Sequence, residues 1–350
     1  MRRSLGRTRA AGIPAALCVA AALAALVGGC ANNHATPAVT LSPQERLELQ
    51  NRALDLLLTA ARSDDDVACN AIEALARVAP RDGLPIFRAS VHSTSPLVRY
   101  AGFVALGDLR DKESLPLISA GVKDENAHVQ LAAAFAACRC GKDGYARLLA
   151  RALTDAPQEN LRADAATLFG RLQEPRAVKP LKAALSRPAN RKSKPVTLAI
   201  DGALAALGQA DSLQELITAS QGDAASRSIA LLLLADLGKP EARDALRYRL
   251  LGAGEEYVEA RLIAARGLGK LGSAEGFDLA MQYLTFTDSN PNPTPESPDR
   301  TFPVRSMAVH ALAEIRDPRA VPALRQLAAS QDDARLQVAA CYAIYRIISR

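Results

Sequence analysis

Val98-Arg99-Tyr100-Ala101-Gly102-Phe103-Val104-Ala105-Leu106-Gly107-Asp108-Leu109-Arg110-Asp111 places Val98, Gly102, Leu106 and Leu109 at offsets 0, 4, 8 and 11. Those offsets form one stripe of an α-helix. The stripe returns elsewhere in the chain, and nine copies can be anchored at Val67, Val98, Val129, Leu161, Ala199, Ser226, Ala260, Val304 and Leu336. The steps between anchors are 31, 31, 32, 38, 27, 34, 44 and 32 residues. At +4 every copy has alanine or glycine, from Ala71 and Gly102 through Ala203 to Ala340. At +8 and +11 stand mostly large apolar residues, such as Leu75 and Val78, Leu268 and Leu271, Leu312 and Ile315. The invariably small +4 column predicts a helix lying close against a neighbour's backbone. A second amphipathic segment follows each first one, as in Val178, Leu181 and Leu185, or Val321, Leu324 and Leu327. A pair of about 31 residues cannot bury both stripes alone, so copies must stack. The expected fold is all-α, an α-solenoid of about nine helix pairs in a right-handed superhelix, with +8 and +11 buried throughout.

Composition agrees. The chain of 350 residues is 49% hydrophobic and 23% charged, which excludes a mostly disordered polymer. Its formal charge of +6 is concentrated at the N-terminus, where Arg2, Arg3, Arg7 and Arg9 occur in a stretch without acids. From residue 30 onward, 39 basic residues face 37 acidic ones, so no nucleic-acid partner is expected.

The first 29 residues carry the basic start, apolar middle and small-residue end of an export signal. Val27-Gly28-Gly29-Cys30 resembles the lipobox of bacterial lipoproteins. That resemblance implies a signal peptide over 1–29, lipid attachment at Cys30, and a lipidated tether over 30–43. Ala31 lacks the Asp that favours inner-membrane retention, so the periplasmic face of the outer membrane is expected. Ser42, Pro43 and Glu45 are the N-cap, N1 and N3 of a capping helix over 44–62, and repeats start at about 64. The solenoid is expected over 44–350, with insertions at 186–195 and 287–303 (SRPANRKSKP and TDSNPNPTPESPDRTFP). Both read as loops, the second extended and proline-rich.

The stretches Val98 to Asp111 and Val304 to Leu324 also resemble the short HEAT repeats of phycobilisome lyases. The resemblance spans roughly residues 64 to 350 and implies fold far more than function. A catalytic branch of that family, the deoxyhypusine-hydroxylase type, holds two irons with His-Glu pairs. Here the histidines are His34, His92, His128 and His310, and none is followed by Glu, so no metal, cofactor or catalytic residue is expected. Cys138-Arg139-Cys140 falls on packing columns, and these thiols read as small hydrophobes. Arg99, Arg162, Arg227, Arg261 and Arg305 recur at +1. They read either as a binding ladder or, as the resemblance implies, as partners of turn carboxylates such as Asp111 and Asp317.

The best candidate surface is basic. Lys179, Lys182, Arg187, Arg191, Lys192 and Lys194 belong to a stretch with eight Lys/Arg and one acid between Arg171 and Lys194. Second helices are expected to line the inner face, which would put Lys179 and Lys182 there with their head groups in solvent. The expected function is a lipid-anchored envelope scaffold with a protein partner and no small-molecule substrate. The alternative is an enzyme or a lyase-like or chaperone-like accessory factor.

Overall fold

The computed structural model describes residues 41–63, 66–252, 258–290, 292–294 and 298–349. The signal segment and Cys30 lie outside the described residues. The chain divides into units of residues 1–38 and 39–350, and the second is the subject here.

Among the described residues all regular structure is helical. The array opens with α1 (Pro43–Ala60). Its start is a capping box in which the Glu45 amide donates to Ser42 Oγ at 3.2 Å and the Ser42 amide donates to Glu45 Oε2 at 2.8 Å. First helices follow as α2 (Asp66–Val78), α4 (Pro96–Leu109), α6 (Ala127–Arg139), α8 (Glu159–Leu172) and α11 (Lys194–Ala206). They continue as α13 (Ala224–Leu237), α15 (Val258–Lys270), α17 (Thr301–Ile315) and α19 (Ala334–Ile348). The second helices are α3 (Pro80–Ser90), α5 (Leu115–Gly121), α7 (Ala146–Asp155) and α9 (Val178–Leu185). After the short α10 (Pro188–Arg191) come α12 (Ala210–Ala219), α14 (Arg243–Leu250), α16 (Phe277–Tyr283) and α18 (Val321–Ala329).

Each first helix packs on the next one along the chain, whereas second helices hardly touch one another. First helices therefore make the inner row and second helices the outer row, the reverse of the sequence expectation. Glycine at +9 is the cause. A Cβ on Gly107 would stand 2.8 Å from Ala136 Cα, one on Gly170 2.7 Å from Ala203 Cα, and one on Gly269 2.7 Å from the Ile315 nitrogen. Only backbones without that carbon approach so closely, and the row with the closest approach becomes the inside of the curve. The small +4 column serves a different contact. A Cβ on Gly102 would lie 3.2 Å from the Phe87 carbonyl oxygen, on the preceding second helix α3.

The curve closes. Helix α19 packs on α17 before it and also on α1 and α2 at the start of the array. Helix α1 lies against both α19 and α2, and so takes the outer place beside α19. Its Leu49, Ala53 and Leu57 are buried there.

Burial follows the stripe with two corrections. The +4 column is buried in every copy, and the +8 column in all but Leu207. The +11 column is not buried throughout. Cys140, Leu172, Ile315 and Ile347 are buried, but Val78, Leu109, Leu237 and Leu271 are half-buried and Ala210 is exposed. These residues sit where the first helices end, so the neighbouring turns cover them only in part. The second correction concerns the fifth repeat. Its helix starts at Lys194, capped by Ser193, which makes Val196 the anchor, three residues before Ala199. Val196, Ile200 and Leu204 are then the buried stripe, and the surrounding steps become 35 and 30 residues.

The first insertion is ordered rather than a loop. The buried Asn190 of α10 donates through Nδ2 to the carbonyls of Leu153 and Ala184, each at 3.0 Å. The second insertion is pinned at its base. There the Arg300 amide donates to Asp288 Oδ2 at 2.9 Å, and the Arg300 guanidinium grips Glu259 at 2.6 and 2.9 Å.

The +1 arginines mostly serve the fold through carbonyls. Arg162 donates to Ala156 O and Pro157 O (2.7 and 2.9 Å), Arg227 to Gly222 O (2.8 Å), Arg261 to Leu250 O (3.0 Å) and Arg305 to Leu284 O (2.8 Å). These carbonyls lie where the preceding second helix ends and lack helical partners. Arg99 adds turn carboxylates, Asp124 at 2.9 Å and Glu125 at 3.4 Å. Asp111 pairs instead with Arg88 of α3, and Asp317 with Arg319 two residues on.

Candidate functional site

The inner row borders an open recess of about 850 Å³, lined by residues of α2, α8, α11, α13, α15, α17 and α19. Its charged side chains come chiefly from the last turn, at +10. Read in chain order that column is Arg77, Asp108, Arg139 and Arg171, then Asp236, Lys270, Glu314 and Arg346, with neutral Ala206 in the fifth repeat. Arg266 joins from +6, and Arg316 from the residue that ends α17. Six of the bordering residues are basic and two acidic.

Several of these charges are paired. Arg171 bonds Asp108 two repeats back, Arg266 bonds Asp236, and Arg346 meets Glu314 at 2.6 Å. Lys270 Nζ donates to the Asp236 carbonyl, not to its carboxylate. Arg77 meets Glu73, one turn back, at 3.9 Å and also bonds Tyr342 on α19. The Arg316 side chain makes no ion pair among the described residues. Arg316 also holds φ at 57°, the left-handed region, which the equivalent helix ends fill with Arg110 and Gln173 as well as with Gly238 and Gly272. A side chain there costs about 1 kcal/mol that glycine does not.

The basic face read from the sequence lies elsewhere. Lys179 and Lys182 are on α9 in the outer row, and Arg187, Arg191, Lys192 and Lys194 surround α10 beside it. All six are exposed. Arg187 approaches Asp155 at 3.8 Å, while the other five form no ion pair among the described residues. Lys194 opens α11 rather than ending a loop. The structure thus keeps the patch together and moves it from the inside of the curve to the outside.

A sequence model for HEAT repeats matches residues 53–137 and 252–345, just over half of the chain. The chain belongs to the HEAT-repeat family. No curated protein matches its sequence significantly. Among solved structures it is similar to the complex of CpcE and CpcF of phycocyanin lyase from Nostoc sp. PCC7120 (17% identity, TM-score 0.40, 71% of this chain and 94% of that one). It is also similar to human deoxyhypusine hydroxylase in complex with glycerol (15% identity, TM-score 0.36, 88% of this chain and 100% of that one). A third is Kap95p bound to RanGDP (16% identity, TM-score 0.33, 86% of this chain and 46% of that one). These likenesses concern the helical-repeat fold.

Within this HEAT array, sequence reasoning missed a half-buried polar cluster. Asp164 on α8 accepts from Tyr100 Oη at 2.6 Å, and His128 Nδ1 lies 2.9 Å from its other oxygen. Burial pushes the Asp164 carboxyl above its usual range and the Tyr100 phenol well above its own. The cluster borders a recess of about 580 Å³. No serine, threonine or cysteine side chain bonds His128 among the described residues, so the arrangement lacks the nucleophile of an acyl-transfer triad. It holds α4, α6 and α8 together.

Cys138 and Cys140 are free, as are Cys69 and Cys341. Burial pushes the Cys138 and Cys341 thiols up to about 12 and Cys69 to about 11, which keeps them protonated and unreactive at neutral pH. Among the described residues no three His, Cys, Asp or Glu side chains are grouped to hold a metal ion, and no helix is long and apolar enough to cross a membrane.

Proposed function

We propose that this HEAT-repeat protein is a lipid-anchored scaffold of the bacterial envelope that holds an acidic protein partner on its outer basic face. One observation carries the reading. Among the described residues Lys179, Lys182, Arg191, Lys192 and Lys194 stay exposed and without carboxylate partners, while many of the other arginines are engaged in fold contacts. Solvated cations in such a cluster raise association rates and add affinity at low ionic strength. Their loss leaves the fold nearly unchanged, because exposed charges contribute at most about 1 kcal/mol each to stability.

The test is capture from detergent-solubilised envelope. Lys179→Glu with Lys182→Glu is expected to reduce recovery of a stoichiometric partner strongly at low salt, and less as salt approaches 1 M, with helicity unchanged. Equal recovery by the double variant would remove the outer face from the reading.

Anchoring rests on Cys30. Two or more acyl chains hold a protein on a membrane stably, whereas one does so only marginally. Cys30→Ala is expected to abolish acylation and to leave a precursor whose mass retains residues 1–29. A processed, soluble Cys30→Ala product would replace the lipoprotein reading with an ordinary secretory one. Export to the periplasmic face of the outer membrane belongs to the same proposal.

A further inference from the structure

We infer that the central cavity is a binding site for a small polyanion carrying phosphate or carboxylate groups. The argument starts from charge accounting. Asp236 and Glu314 each hold one arginine, Arg266 and Arg346, and Arg171 is held by Asp108. Among the described residues Lys270 and Arg316 have no carboxylate partner, and Arg77 has Glu73 at 3.9 Å, outside the recess of about 850 Å³ that all three border. That volume suits a small molecule. A recess with excess cations and protein walls concentrates field lines on whatever anion enters. Guanidinium forks match phosphate and carboxylate oxygens in pairs, which favours a ligand with several such groups.

The competing explanation is that cations gather here to offset the negative ends of the first helices. Arg316 separates the two. Gln173, Gly238 and Gly272 end α8, α13 and α15 in the same left-handed region without a cation, and Arg110 ends α4 in it with one, so that turn does not require a cation. Arg316 stands beside the cavity without an ion pair among the described residues, which points to a ligand rather than to the helix end. The Arg346 Nε is also buried with no hydrogen-bond partner, an unused donor next to the same space.

The experiment is titration calorimetry on the full chain in detergent, with tripolyphosphate in one arm and citrate in the other. Binding in either arm supports the inference, and the stronger arm tells phosphate from carboxylate chemistry. Arg316→Gly is expected to melt at the same temperature or higher while losing about tenfold or more in affinity. Lys270→Gln should lose affinity without changing helicity. Lys179→Glu with Lys182→Glu should bind as the wild type does, which separates this site from the outer face. No heat in either arm at millimolar anion would overturn the inference. So would Arg316→Gly binding as tightly as wild type, or loss of binding in the outer-face variant.

Discussion

Leu57→Asp in the first helix of the array should unfold it as completely as Leu106→Asp in the second repeat. Both leucines are fully buried. An unpaired buried carboxylate costs roughly 3–5 kcal/mol, against a typical domain stability of about 5–15 kcal/mol. In an open solenoid the two sites would differ. Stability there is close to a sum over repeats and nearest-neighbour interfaces, so a damaged end helix frays while the remainder persists. Closure removes that refuge, because α1 lies between α2 and α19 and losing it frees both flanks. Urea unfolding followed by circular dichroism decides the matter. The expected result is one cooperative transition displaced alike in both variants, or no folded protein from either. Leu57→Ala, with a cost of about 2–5 kcal/mol, keeps the measurement possible if the aspartates do not fold. A main transition left in place by Leu57→Asp, with only a small early loss of helicity, would mean that the seam opens independently.

The stripe of offsets 0, 4, 8 and 11 was legible because it recurs with the helix period in copy after copy. The register of the fifth repeat was not. Moving three residues along a helix turns the face by only about 60°, so Ala199, Ala203 and Leu207 resemble the true stripe of Val196, Ile200 and Leu204. The Ser193 cap decides between them, and the insertion before it hides that start. Closure was illegible for a different reason. Nine pairs close if each turns by about 40° from the last, and that angle is set by packing depth rather than by apolar periodicity. The +9 glycines were visible as a column, yet their partner across the interface was not. The basic outer patch was found from charge alone and was placed on the wrong side of the curve, because the inner row was assigned to the wrong helix of each pair. The cavity had a trace in the sequence too. The +10 column is charged in eight of nine copies, as Arg77, Asp108, Arg139 and Arg171, then Asp236, Lys270, Glu314 and Arg346. A charged column at fixed offset in first helices gains meaning only once those helices are known to face one another.

Acid should weaken the array through His310, and the variant His310→Gln should reveal by how much. The ring is half-buried on α17 with its centroid 5.8 Å from that of Tyr342 on α19. Burial first, and then the nearby Arg266 and Arg77, push its pKa down to about 4. In the unfolded chain the group titrates near its ordinary value of about 6.5. The folded value is the lower one, so between these limits the unfolded state binds more protons. Stability from keeping this ring neutral is complete above about pH 6.5, falls as pH drops, and levels off below about 4. A gap of that size corresponds to about 3 kcal/mol. Asp201 on α11 acts with the opposite sign. Burial lifts its carboxyl from 3.8 to about 6, so the folded state takes up its proton first and gains stability over nearly the same interval. The wild type should therefore change little between pH 7 and pH 4.5, with two opposed slopes concealed in a flat profile. Removing one exposes the other. His310→Gln is expected to become more stable on acidification, by about 2–3 kcal/mol relative to wild type over that interval, and Asp201→Asn to become less stable by a similar amount. Urea midpoints at the two pH values measure both. Parallel profiles for wild type and His310→Gln would show that the ring is protonated in the folded array, and that the α17–α19 seam admits water or an acid to meet it.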